Sequence, residues 1–184
     1  MDRDRPTALN EHATTEHATT EHATTEHATP RVPAVRVPAV ADPLAEPILR
    51  LSHVQYDTVL AHCFDGFPDE ACGLLAGPFV DGFPTGEVAE VYPCRNADAS
   101  ARTYTVAPSD LLEAMRDAEN EGNEIIGVWH SHTHTDAYPS ATDVRQAVDP
   151  AWCYVIVSLK TGEPVLRGYF IRDGVVTECP VEVS

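Results

Sequence analysis

An apolar run, Ile125-Ile126-Gly127-Val128-Trp129, leads directly into His130-Ser131-His132-Thr133-His134-Thr135-Asp136-Ala137-Tyr138-Pro139-Ser140-Ala141-Thr142-Asp143. The apolar run reads as a short buried β-strand. Side chains alternate across a strand, so His130 and His132 project from one face with Cα atoms roughly 6.5–7 Å apart. Two imidazoles at that separation can converge on one metal ion. Ser140-Ala141-Thr142-Asp143 then reads as a helix start, with serine as N-cap and the acid at the capping-box position. The first turn of that helix can bring a carboxylate to the same point. Two nitrogens and one carboxylate oxygen leave a tetrahedral zinc ion with its fourth position open, as in catalytic zinc sites. Each half has a plainer reading alone, His-x-His as a polar strand end and Ser-x-x-Asp as a helix cap. Their combination behind a buried strand points to a metal, and iron or cobalt would also accept these donors. Such a site demands a sheet around its strand, and the rest of the chain must supply it.

A chain of 184 residues is long enough for one domain with a core and an appendage. The net charge of −17 and the single lysine, Lys160, argue against nucleic acid or an anionic membrane as partner, since no cationic patch can neutralise phosphates. No apolar run approaches the ~20 residues of a membrane span, and Met1 to Pro6 lack the apolar core of a secretory signal, so a cytoplasmic location is expected. Cys63, Cys72, Cys94, Cys153 and Cys179 are odd in number and widely spaced. They suit reduced thiols filling a core, with neither a disulfide frame nor structural zinc.

Residues 11–30 repeat Glu-His-Ala-Thr-Thr, ending in Glu-His-Ala-Thr-Pro, and residues 31–40 duplicate Arg-Val-Pro-Ala-Val. These units are too short and polar for a solenoid, so residues 1–46 are expected to form a disordered tail and Pro-rich linker. Its spaced histidines, His12, His17, His22 and His27, would scavenge metal weakly at most. The domain is expected over 47–184. Ile48–Leu51 reads as a strand. Ser52, with Gln55 in the capping box, opens a helix that presents Tyr56, Val59, Leu60 and Cys63 on one face. A turn at Gly66-Phe67-Pro68-Asp69 precedes a strand over 70–77, whose small residues allow close packing. Val88–Tyr92 and Arg102–Val106 read as further strands pairing in a meander. Pro108-Ser109-Asp110 opens a second helix that turns Leu111, Leu112, Met115 and Ala118 inward. Strands follow at 125–132, 152–159, 165–171 and 175–183, the last two joined by a hairpin turn at Arg172-Asp173-Gly174. The sum is an α/β single domain, a mixed β-sheet with flanking helices.

A hydrolytic metal site needs a base for the attacking water. Glu70, between a proline turn and a buried strand, is the candidate, with Asp69 as its rival. His134 and Asp136 are rivals to His132 and Asp143 as ligands. Trp129 reads as core packing, and Cys72 as a buried filler rather than a nucleophile.

The run His130-x-His132-x7-Ser140-x-x-Asp143, with an upstream glutamate in Pro68-Asp69-Glu70-Ala71-Cys72-Gly73, resembles the JAMM (MPN-plus) metallopeptidase family over roughly residues 48–184. The long spaced motif is highly specific, whereas Pro-x-Glu-x-Cys-Gly alone is weak. Residues 68–77 and Ala137-Tyr138-Pro139-Ser140 are most similar to short bacterial members of the Mec type. The resemblance implies an MPN/JAB-like, cytidine-deaminase-like sandwich. It implies Zn2+ on His130, His132 and Asp143, with Glu70 as acid/base and Ser140 helping to hold the oxyanion. It also implies a substrate: the C-terminal tail of a ubiquitin-like sulfur-carrier protein, from which cysteine is released during cysteine synthesis. Two alternatives stand beside it, a deubiquitinase-like isopeptidase and a non-catalytic scaffold of the same fold.

Overall fold

The computed structural model describes residues 48–184; the tail and linker expected over 1–46, with their histidines, lie outside the described residues. In chain order the elements are β1 (Leu49–Leu51), α1 (His53–Gly66), β2 (Cys72–Gly77), β3 (Phe79–Val80), β4 (Phe83–Pro84) and β5 (Glu90–Cys94). They continue with α2 (Pro108–Asn120), β6 (Glu124–His132), α3 (Ala141–Gln146), β7 (Cys153–Ser158), β8 (Val165–Arg172), β9 (Val175–Cys179) and β10 (Val181–Val183). Six strands form one sheet in the order β5-β2-β6-β7-β8-β9. Only β6 and β7 run parallel within it, so the sheet is mixed.

The two faces of this sheet carry separate cores. On one, Leu75, Trp129, Val155, Val157 and Phe170 pack against Val59 and Cys63 of α1 and Leu49 and Leu51 of β1. On the other, Cys72, Leu74, Val128, Tyr154 and Ile171 meet Ala114 and Ala118 of α2. Because β6 is buried on both sides it reads as a near-continuous apolar run, which is why its sequence was legible. Gly73 lets β2 lie against Trp129: a Cβ there would sit 2.4 Å from the indole ring and 2.3 Å from the Tyr92 carbonyl. The Ser52 capping box forms as expected, Gln55 N–H donating to Ser52 Oγ at 3.2 Å and Ser52 N–H to Gln55 Oε1 at 2.8 Å.

Several expectations are corrected. Arg102–Val106 is not a strand; Asn96 and Val106 form an isolated bridge. The Asn96 side chain takes the hydrogen bonds of Thr103 and Thr105 that a ladder would use. On α2 the inward residues are Ala114 and Ala118, with Leu111 partly covered, while Leu112 and Met115 are about half exposed. The span 175–183 divides at Pro180, which has no N–H to continue a ladder. β10 leaves the main sheet there and pairs in parallel with β1. The structure adds a β3–β4 hairpin to the expected elements, and its Asp81-Gly82 turn between Phe79-Val80 and Phe83 is a recognised turn signal. Both turn residues have positive φ (54° and 82°), as do Asp173 and Gly174 (51° and 78°) at the turn that was expected.

Candidate metal centre

β6 carries its two histidines to the end of the sheet, where both point to the α2 and α3 side. His130 and His132 are almost fully buried, and Asp143 from the first turn of α3 closes on them. His130 Nε2 lies 3.1 Å from His132 Nε2. The Asp143 carboxylate reaches both, at 3.6 Å from His130 Nε2 and 3.5 Å from His132 Nε2. Donors about 2.0–2.1 Å from a tetrahedral ion would stand about 3.3 Å from one another, so the two imidazole nitrogens and the carboxylate, whose Oδ1 faces His130 and whose Oδ2 faces His132, are spaced as ligands of one small cation. Among the described residues this is the group of side chains able to hold a metal.

The protonation pattern fits the same reading. His132 Nδ1–H donates to the Asp136 carbonyl at 2.8 Å, with Thr135 Oγ1 also 2.8 Å away. That bond fixes the tautomer and leaves Nε2 as a lone pair aimed at the shared point. The supporting loop is itself held, since Ser158 Oγ donates to the Thr135 carbonyl at 2.6 Å and the Tyr169 hydroxyl to that of Ala137. Burial raises the Asp143 carboxyl, but the two imidazoles outweigh it and hold the group well below the usual carboxylate range. Burial lowers His130. It also opposes protonation of His132, yet Asp143, the Asp136 carbonyl and Glu70 leave the net shift upward. A buried carboxylate against two imidazoles needs a positive charge among them, which a proton on His132 or a metal cation supplies.

Glu70 precedes β2. The register aligns Cys72 with His130, and one residue on, Ser131 N–H donates to the Ala71 carbonyl at 2.9 Å while Ala71 N–H donates to Ser131 Oγ at 2.8 Å. Glu70 therefore falls opposite His132, on the face that carries both histidines. Burial pushes its carboxyl up to about 7; Asp143 adds to that rise and His132 opposes it. Ser140 Oγ accepts from Asp143 N–H at 3.2 Å, and Ser140 N–H donates to Asp143 Oδ2 at 2.6 Å. The serine thus orients Asp143 as an acceptor, and its own hydroxyl hydrogen is not used by that bond.

The rivals fall elsewhere. His134 is exposed and its Nδ1 engages Thr133 Oγ1 at 2.7 Å. The Asp136 carboxylate pairs with Lys160 at 3.0 Å. Asp69 stays in the turn, its N–H donating to the Gly66 carbonyl at 3.0 Å. Trp129 is fully buried, with His62 edge-on at 5.4 Å. Cys72 is buried with its thiol pushed up to about 12, so it supplies no thiolate; all five cysteines are buried and none is in a disulfide. Two neighbours of the site were missed: Tyr104, stacked on His130, and Asn96, bonded to the Glu70 carbonyl at 2.8 Å. Asn96-Ala97-Asp98 carried a signal, an Asx turn in which Asp98 N–H donates to Asn96 Oδ1. Tyr104 had none.

A profile of prokaryotic homologues of the JAB domain matches residues 53–169. The CysO-cysteine peptidase of Mycobacterium tuberculosis is 41% identical over 130 residues, covering 69% of this chain and 85% of that protein. The desampylase of Haloferax volcanii is 33% identical over 107 residues, 55% of this chain and 74% of its own. Among solved structures, a protein from Desulfitobacterium hafniense superposes with a TM-score of 0.67 at 35% identity, covering 74% of this chain and 93% of that one.

Proposed function

This chain belongs to the family of prokaryotic JAB-domain homologues, and from that membership we propose that it is a zinc-dependent hydrolase. Its substrate is a ubiquitin-like sulfur-carrier protein, from whose C-terminus it releases a cysteine. The convergence of His130, His132 and Asp143 beside Glu70 is the observation that carries the reading. The relative named as a CysO-cysteine peptidase, alike over most of its length, supports the choice of substrate. The reading assigns catalysis to residues 47–184 and none to residues 1–46. No helix among the described residues is long and apolar enough to cross a membrane. A cytoplasmic setting goes with five cysteines outside any disulfide, which suit a reducing compartment.

His130, His132 and Asp143 would hold the zinc, which when bound supplies Lewis acidity, polarising a carbonyl and bringing the pKa of a water to about 7. Glu70, with a carboxyl near neutrality, takes the proton of the attacking water and returns it to the departing amine. Ser140 keeps Asp143 oriented through its capping bond and offers its hydroxyl hydrogen to the developing oxyanion.

The test is mass spectrometry of a carrier protein bearing a C-terminal cysteine, incubated with the enzyme with and without chelator. Loss of one cysteine residue, abolished by chelator, is expected. The same carrier joined through its C-terminus to a lysine side chain forms the second arm, since the relatives include desampylases. Cleavage of that arm alone would replace this reading with an isopeptidase, and cleavage of neither would remove the hydrolase reading for these carriers.

A further inference from the structure

His130 and His132 look equivalent in sequence, but they are held in different ways. His132 has its second nitrogen tied to a carbonyl. The second nitrogen of His130, Nδ1, is buried and has no hydrogen-bond partner among the described residues. The usual device for fixing a ligating imidazole, a bond from its other N–H, is therefore missing there. In its place stands Tyr104, whose ring is stacked on His130 with centroids 4.2 Å apart and planes within 20°.

Tyr104 lies in no helix or strand, so something must hold it, and Asn96 does. Its Nδ2 donates to the Thr103 carbonyl at 3.0 Å and to the Glu70 carbonyl at 2.8 Å. Its Oδ1 accepts from Asp98 N–H at 3.0 Å and from Thr105 N–H at 3.1 Å. The carboxamide is saturated, and this pattern fixes which end is oxygen. One side chain thus grips the peptides on both sides of Tyr104 and the backbone of Glu70. A second tie, Glu70 N–H to the Ser100 carbonyl at 2.8 Å, joins the same segments.

We propose that Tyr104 and Asn96 are positioning residues: Tyr104 sets the plane of His130 by stacking, and Asn96 holds Tyr104 and Glu70 in one frame. This rests on the reading of His130 as a metal ligand and Glu70 as acid/base. Neither residue touches the reacting atoms; they act through the residues that do.

The test uses full-length protein loaded with cobalt(II), compared with Tyr104→Phe, Tyr104→Leu and Asn96→Ala well below their melting temperatures. Tyr104→Phe keeps the ring and is expected to bind cobalt within about threefold of wild type, with an unchanged visible spectrum. Tyr104→Leu is expected to lose about 10–100-fold in cobalt affinity and to shift the ligand-field bands. Asn96→Ala should shift the bands in the same direction and lower kcat about tenfold, with KM within about threefold. If Tyr104→Leu and Asn96→Ala melt earlier but bind cobalt with wild-type affinity and spectrum, the residues only staple a loop and the proposal falls. It falls equally if Tyr104→Phe behaves like Tyr104→Leu. If instead the wild type binds no cobalt, or His130→Ala binds it as wild type does, the ligand reading itself has failed.

Discussion

At the scale of single residues, the account separates holding the metal from moving the proton. Asp143 is oriented by Ser140 and neighbours both imidazoles, so Asp143→Ala removes the proposed anionic ligand and the orienting contact together. Metal-free protein is the expected product, measured by elemental analysis after gel filtration. Glu70 stands apart from the cluster of His130, His132 and Asp143. Glu70→Gln should retain metal while turnover falls by about 10²–10⁴, and an active Glu70→Gln protein would remove Glu70 as the base. Ser140→Ala loses a helix cap and, in the proposed mechanism, an oxyanion donor. It should cost about 1 kcal/mol in stability and about 10²–10³ in kcat, read from denaturant titration and kinetics. A loss of stability with unchanged kcat would leave Ser140 as a cap only.

Among the elements, β2 and β6 matter most, because their register sets Glu70 against His132. Gly73 allows that approach, and Gly73→Ala would drive a methyl into the Trp129 ring and the Tyr92 carbonyl. The expected cost is about 3 kcal/mol or more, seen as a lowered urea midpoint; an unchanged midpoint would mean that the two strands have room to separate. The same elements explain what was legible in the sequence. β6 announced itself because burial on both faces makes a strand apolar throughout, and α3 because Ser140 and Asp143 must cap it whatever else they do. The convergence of His130, His132 and Asp143 was readable from spacing, since strand alternation and one helical turn both have fixed geometry. The segment 95–107 was not readable. Its order comes from one asparagine side chain bonding residues far apart in sequence, and no periodicity encodes that. The inward face of α2 was misjudged for a related reason: alanines against a close-packed sheet leave the larger Leu112 and Met115 outside.

For the molecule as a whole, the cysteines report on the integrity of the core. Burial pushes the thiols of Cys63 and Cys72 up to about 12 and that of Cys94 up to about 11, and Cys153 is also raised well above its ordinary value. The folded protein should leave a thiol reagent unconsumed at pH 8 and react fully in denaturant. Because the folded thiols ionise later than the unfolded ones, their contribution to stability is complete below about pH 9 and is lost as pH rises towards 12. The urea midpoint should therefore decline from about pH 9 upward; a flat profile between pH 9 and 11 would contradict the burial. The tail enters at this scale too. A protein lacking residues 1–46 should keep its tight metal and its activity, whereas loss of both would assign the histidine repeats a part in the site.

The most direct measurement is metal content and cysteine release on the same preparations of wild type, Glu70→Gln and Asp143→Ala. The account predicts one metal ion per chain in wild type and Glu70→Gln, none in Asp143→Ala, and cysteine release by the wild type alone. Full metal occupancy in Asp143→Ala, or cysteine release by a metal-free wild type, would contradict it.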